Sequence, residues 1–217
     1  MRDDNEGPFV NRLFVTGIST GVGKTLAAAI LVEALQADYW KPIQAGDLDA
    51  SDSHTVRDLI SNAKTVIHPN AYALRTPMSP HAAAEIDNIR IDLKEIKTPD
   101  TRNTLVIEGA GGLLVPLNGQ DTICDLIEPG YRVIVVSRHY LGSINHTLMT
   151  LECLERRGLE PFLIFSGDPH PSTESIILQK TGVQVLGRIE ELQEVSPAQV
   201  RRVATSFMPA LRSYNLL

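Results

Sequence analysis

Two lysines and two carboxylates stand at positions where the neighbouring residues give them chemistry. Lys24 ends the run Gly17-Ile18-Ser19-Thr20-Gly21-Val22-Gly23-Lys24-Thr25, which follows the apolar stretch Leu13-Phe14-Val15 and opens a stretch rich in Ala and Leu. A strand, a glycine-bearing turn and a helix start in that order present backbone N–H groups to an anion. Gly21 and Gly23 allow positive φ and close approach to phosphate oxygens, Lys24 can reach β- and γ-phosphates, and the Thr25 hydroxyl suits Mg²⁺. The loop departs in one way from G-x-x-x-x-G-K-[ST]: the first glycine is Gly17 rather than residue 18, so five residues intervene. Glu108 follows Leu105-Val106-Ile107 and precedes Gly109-Ala110-Gly111-Gly112. An acid after an apolar strand is the Walker B arrangement, which helps to hold Mg²⁺ beside a nucleotide. Lys41 falls near the end of a second strand, on the edge of an α/β sheet where ligands collect, although a solvated lysine would read the same way. Asp52 follows Ser51 at a helix start, and capping by either residue would account for both.

These residues need a scaffold that gathers strand ends. A short buried strand is expected at the start of the run 12–26, further strands near 38–44, 104–108, 132–136, 161–165 and 183–189, and helices over 25–36, 52–62, 141–157, 173–180 and 197–211. The stretch 66–82 contains Pro69, Pro77 and Pro80 and reads as irregular, with weak helical periodicity over 81–86 and 93–96. Continuously apolar strands alternating with helices predict a three-layer P-loop NTPase fold: a mostly parallel central sheet with helices on both faces. Residues 12–217 form one domain in this reading, and the acidic segment 1–11 is a disordered leader.

The 217 residues carry a net charge of −6, which argues against nucleic acid as the main partner. No apolar run approaches the ~20 residues needed to cross a bilayer. The two cysteines, Cys124 and Cys153, have no metal-binding spacing and fit a reducing cytoplasm as core thiols.

The long loop, together with Lys41-Pro42-Ile43-Gln44-Ala45-Gly46, Ser51-Asp52, Ser79-Pro80-His81, Glu108-Gly109-Ala110-Gly111-Gly112, Leu141-Gly142-Ser143-Ile144-Asn145-His146 and the turn Ser166-Gly167-Asp168, resembles dethiobiotin synthetases. The resemblance runs from Leu13 to about Pro197. It implies a ligase of biotin synthesis that uses ATP, Mg²⁺ and CO₂ or bicarbonate. Its substrate is 7,8-diaminononanoate, which passes through a carbamate and a carbamic-phosphoric anhydride to dethiobiotin. Lys24 and Lys41 are then the catalytic cations, and Thr25, Asp52 and Glu108 the Mg²⁺ ligands. Nucleotide contacts carry over to Gly21, Val22, Gly23, Lys24, Thr25 and Leu26, to Asp52, and to Glu108, Gly109, Ala110 and Gly111. For the base end they carry over to Ser166 and Gly167 and to Glu190, Glu191 and Leu192. Thr20, Lys41 and Ala45 become substrate contacts. Gly142, Ser143, Ile144 and Asn145 meet the substrate carboxylate through free N–H groups at a helix start, across the interface of a homodimer. His146 reads as a structural helix residue.

Three positions leave the family pattern. Ala45 replaces a hydroxyl residue near the substrate, Ser166 replaces an Asn at the adenine, and Ile189-Glu190-Glu191-Leu192 replaces a proline-containing segment. The rival reading is a P-loop switch ATPase of the partitioning or cell-division type. Such proteins carry a second lysine early in the loop, where this chain has Ser19.

Overall fold

A computed structural model describes residues 11–217. The expected leader therefore lies outside the described residues except for Asn11, and Asn11 belongs to the fold. Its carbonyl accepts from the Leu105 N–H (2.9 Å), and its amide donates to the carbonyl of Leu217 (3.2 Å).

The chain runs β1 (Arg12–Gly17), α1 (Lys24–Leu35), β2 (Asp38–Trp40), β3 (Ile43–Ala45), α2 (Asp52–Leu59), β4 (Ile67–His68), β5 (Tyr72–Leu74) and α3 (Pro80–Ile86). It continues with β6 (Leu105–Gly112), β7 (Arg132–Arg138), α4 (Ser143–Arg156), β8 (Phe162–Ser166), α5 (Pro171–Thr181), β9 (Gln184–Ile189) and α6 (Pro197–Ser213). Seven strands form a parallel sheet in the order β4-β2-β6-β1-β7-β8-β9.

The sheet is parallel and covered because its strands are apolar on both faces. In β1, β7 and β8 nearly every residue is buried, a pattern that leaves no face for water. From β1 the chain crosses through α1 to β2 on one side, whereas β7, α4, β8, α5 and β9 build outward on the other. Right-handed crossovers in opposite directions put α1 on one face and α4 and α5 on the other. The crevice beside β1, where the strand order diverges, is where open α/β sheets bind ligands. In α1, Ala27 to Val32 are all fully buried, and Ile30, Leu31 and Val32 each contribute about 1.5–3 kcal/mol of apolar burial. The short alanines let this helix lie close against the sheet.

The structure departs from the sequence reading in four places near the crevice. The run 38–44 is two strands, because Pro42 has no N–H to donate. Its carbonyl accepts instead from Ala71 and Tyr72, and β3 leaves the main sheet to pair with β5 in a separate parallel ribbon. The 66–82 stretch contains β4 at the sheet edge, β5, and the start of α3 with Pro80 in its first turn. Helix α2 stops at Leu59 rather than 62, since Glu33 draws off the N–H groups of Ser61 and Asn62 (2.9 and 3.2 Å). Strand β6 continues through its glycines, and Gly112 pairs with Gly17 beyond a bulge. Among the described residues no helix is long and apolar enough to cross a membrane, and Cys124 and Cys153 are both free.

Candidate active site

The crevice is a cleft of about 710 Å³. The phosphate-binding loop forms one wall, the end of β6 the floor, and Lys41 to Ala45 with the Pro77–Pro80 segment the opposite wall. That volume is within the range of small-molecule sites.

Gly21 and Gly23 take φ of +72° and +94°, as the loop reading requires. At Gly23 space matters as well as φ, for a Cβ there would lie 2.9 Å from the Ser166 hydroxyl. α1 starts at Lys24, one residue earlier than expected, and the N–H groups of its first turn open toward the cleft. Val22 is buried and Leu26 half-buried, so their contribution to a bound phosphate is through backbone N–H.

The two lysines have different surroundings. Lys24 is 7% exposed, and its Nζ donates to the Ser19 carbonyl at 3.0 Å. Burial pushes its pKa down to about 8 despite the nearby charge of Glu108. Lys41 is 4% exposed and paired with both Asp52 and Glu108, at 3.1 Å from Glu108 Oε1. Burial opposes its charge, but the two carboxylates outweigh burial and raise its pKa. At Asp52 burial alone would raise the pKa; the charge and hydrogen bond of Lys41, with that of Thr25, prevail and hold it low.

Thr25, Asp52 and Glu108 converge. Thr25 Oγ1 lies 3.0 Å from Asp52 Oδ1 and 2.9 Å from Glu108 Oε1. Ser51, not Asp52, caps α2: it forms a reciprocal cap with His54, so the Asp52 side chain is free to face the cleft. Gln44 accepts from the Asp52 N–H at 3.4 Å and ties this helix start to β3. Among the described residues no cluster of three or more His, Cys, Asp or Glu side chains forms a metal site. Two carboxylates and a hydroxyl facing one point are nevertheless a donor set that fits Mg²⁺, a hard cation that takes few protein ligands and completes its shell with phosphate and water.

Other expected positions are distributed unevenly. Thr20, Ala45, Ala110 and Gly111 line the cleft. Gly109 packs on Phe14 and Ile123 beneath it. Ser166 and Gly167 flank the loop, and Glu190, Glu191 and Leu192 follow β9 beside them, with Glu191 bridged to Arg138 at 2.8 Å. Gly142, Ser143, Ile144 and Asn145 do not line this cleft within one chain. Ser143 also departs from the free N–H reading, because its N–H is taken by the Tyr140 carbonyl (2.9 Å) and the residue is 2% exposed. His146 bonds to Tyr140 (2.7 Å), in keeping with a structural role. It borders a second pocket, of about 420 Å³, that shares Thr20 and Val115 with the cleft.

Sequence reasoning missed Tyr39, whose hydroxyl donates to Glu108 Oε2 at 2.8 Å from a fully buried position. It also missed Arg188, which donates to the Gly167 carbonyl (3.0 Å) while paired with Glu174. An arginine in the last strand carries a sequence signal, since a buried guanidinium needs partners; a tyrosine in an apolar strand carries none.

A long phosphate-binding loop on a parallel sheet, with a strand-end acid and a helix-borne Asp converging on the loop's Thr, defines the P-loop class of nucleotide-dependent proteins. The family described as an AAA domain matches residues 11–199. The ATP-dependent dethiobiotin synthetase BioD of Christiangramia forsetii is 57% identical over 91% of this chain and 96% of its own length. Those of Cytophaga hutchinsonii and Brucella anthropi are 48% and 43% identical over 90% and 89% of this chain, and over 96% and 92% of their own lengths. The chain belongs to the ATP-dependent dethiobiotin synthetase family. Among solved structures, a putative plasmid partition protein from Borrelia burgdorferi B31 aligns over 95% of this chain and all of its own, with TM-score 0.60 and 13% identity. The MinC:MinD cell division complex of Aquifex aeolicus aligns over 96% of this chain and 97% of its own, with TM-score 0.55 and 13% identity. These two likenesses are of fold alone.

Proposed function

We propose that this chain catalyses the ATP- and Mg²⁺-dependent closure of 7,8-diaminononanoate and CO₂ to dethiobiotin in the cytoplasm. The observation that carries the reading is the convergence of Thr25, Lys41, Asp52 and Glu108 beside Lys24 in one cleft, in a chain 43–57% identical to the three dethiobiotin synthetases named above. One substrate amine takes up CO₂ as a carbamate. A carbamate oxygen attacks the γ-phosphorus and ADP leaves; the second amine then attacks the carbonyl carbon of the mixed anhydride, closing the ureido ring and expelling phosphate.

No protein nucleophile is needed in this sequence. The residues hold two anionic reactants together and offset charge that spreads during phosphoryl transfer. The N–H groups of Gly21 to Thr25 and the Lys24 ammonium bind the triphosphate. Lys41, steered by Asp52 and Glu108, presents its remaining N–H to the carbamate. Thr25, Asp52 and Glu108 would hold Mg²⁺, which would supply charge neutralisation at the phosphates. Ala45 offers a methyl where the family has a hydroxyl, which leaves the substrate to Lys41 on that wall and to Thr20 on the facing one.

The homodimer is part of the proposal. Leu114 and Met149 are exposed side chains lining the second pocket, and Tyr140, Leu141 and Ile144, at and just before the start of the helix that carries Met149, are exposed as well, Leu141 fully. The N–H groups of Ile144 and Asn145 at the start of α4 then serve the substrate carboxylate of the other subunit. Fit to a reducing cytoplasm rests on the two free thiols.

Phosphate release from ATP measured with diaminononanoate, with bicarbonate, and with both tests the reading. Release that requires both is expected; release that ignores either substrate refutes it. Sedimentation across a dilution series tests the dimer, and full activity in a monomer would refute it.

A further inference from the structure

Tyr39 belongs to none of the sequence motifs. Its place in the sheet is nevertheless specific: it pairs with Val106, and Glu108 is two residues further along β6 on the same face. Side chains so placed on neighbouring strands are within reach when one is long and aromatic. The ring is fully buried in the layer that holds Ala27, Ala28 and Val56, and the hydroxyl ends on Glu108 Oε2 at 2.8 Å. A buried hydroxyl costs free energy unless bonded, and among the described residues its partner is Glu108.

The two oxygens of Glu108 are thereby unequal. Oε1 faces Lys41 at 3.1 Å and Thr25 at 2.9 Å, whereas Oε2 is turned inward to Tyr39. We propose that Tyr39 is a positioning residue for the reaction: its hydroxyl locks the Glu108 carboxylate so that a single oxygen, Oε1, is presented to the cleft and to the divalent cation held there. The inference rests on the reading of Glu108 as a cation ligand. Burial, and then the charge of Glu108, push the Tyr39 pKa well above its ordinary value. The hydroxyl is therefore a donor throughout the neutral range. Without it, Oε2 is a buried acceptor with no partner, and the carboxylate can turn to satisfy it at the expense of the geometry at Oε1. Loss of such an outer partner typically lowers metal affinity 10–100-fold.

The test compares Tyr39→Phe and Tyr39→Met with the natural protein. Mn²⁺ binding is followed by electron paramagnetic resonance with a non-hydrolysable ATP analogue, and the Mg²⁺ dependence of turnover is measured at saturating ATP. Both variants are expected to raise the Mn²⁺ dissociation constant and the half-saturating Mg²⁺ about 10–100-fold. Analogue binding in EDTA should stay within about twofold, and turnover should recover at saturating Mg²⁺. A purely packing role would lower the melting temperature in EDTA without moving either cation constant, and that result in whichever variant folds overturns the proposal. Glu108→Ala separates the two readings. If it abolishes Mn²⁺ binding while Tyr39→Phe leaves it unchanged, only the Tyr39 inference fails; if it too leaves Mn²⁺ binding unchanged, the assignment of Glu108 fails with it.

Discussion

Lys24 and Lys41 are both buried, both line one cleft, and are wired in opposite ways. Lys24 rests on a single carbonyl, and burial has lowered its pKa to about 8. Lys41 is clasped by two carboxylates that raise its own. A cation with a neutral partner keeps most of its charge for an incoming anion, at a cost to the folded state. A cation inside an ion-pair network is stabilised by the fold and has its position fixed, so it serves better as a geometric guide than as a source of affinity.

Breaking the network side of this contrast has the largest expected effect. Lys41→Met leaves Asp52 and Glu108 without their shared cation, and removing one partner of a buried pair costs about 3–5 kcal/mol. Urea denaturation should read that loss. Turnover should collapse while ATP still binds, since the proposed reaction assigns Lys41 to the carbamate end; loss of ATP binding with no other defect contradicts that role. Lys24→Ala should lower turnover about 10²-fold or more, the scale for one preorganised electrostatic partner, with the fold intact. Unchanged turnover in folded Lys24→Ala removes the phosphate-loop assignment.

The contrast is sharpened by pH. Between about pH 8 and its ordinary pKa of 10.5, Lys24 is protonated in the unfolded chain and losing its proton in the folded one. Stability linked to Lys24 therefore rises with pH across that window. Lys24→Met should be more stable than the natural protein at pH 7, on the order of 3 kcal/mol, with the gap closing as pH passes 10. Lys41 runs the other way: its contribution is full below 10.5 and is lost only as pH rises through its elevated pKa. Thermal melts from pH 7 to 10.5 on both Met variants compare the two directly, and parallel curves would mean that the two sites are not different in kind.

The smallest effect concerns the base. Ser166 offers one hydroxyl where an amide would offer a donor and an acceptor together. Glu191 is already engaged by Arg138, which leaves Glu190 as the carboxylate of that segment without a partner among the described residues. CTP and GTP should compete with ATP better than in relatives with Asn, and Ser166→Asn should shift kcat/KM ratios about 3–10-fold toward ATP, the worth of one hydrogen bond. Unchanged ratios would show that Ser166 does not read the base.

The alternation of strands and helices was legible because hydrophobic runs and glycine turns are local signals, and the loop, Lys24, Thr25 and Glu108 came with it. The division of 38–44 was not, since β3 finds its partner in β5 only after an intervening helix. Asp52 was ambiguous until Ser51 and His54 were seen to share the cap. Tyr39 stayed hidden because a hydroxyl within an apolar strand looks like core until the acid two residues along the adjacent strand comes beside it.

The bond between Asn11 and Leu217 places the first and the last described residues side by side. Chain ends so placed can be joined without disturbing what lies between them. Gly130 is exposed and has open space around it, just ahead of β7 and therefore at the sheet edge away from the cleft. A circular permutant that begins there, with an added flexible linker joining Leu217 to Asn11, should assemble the same sheet, because the strand order is held by pairing across the sheet rather than by the order in which the ribosome delivers it.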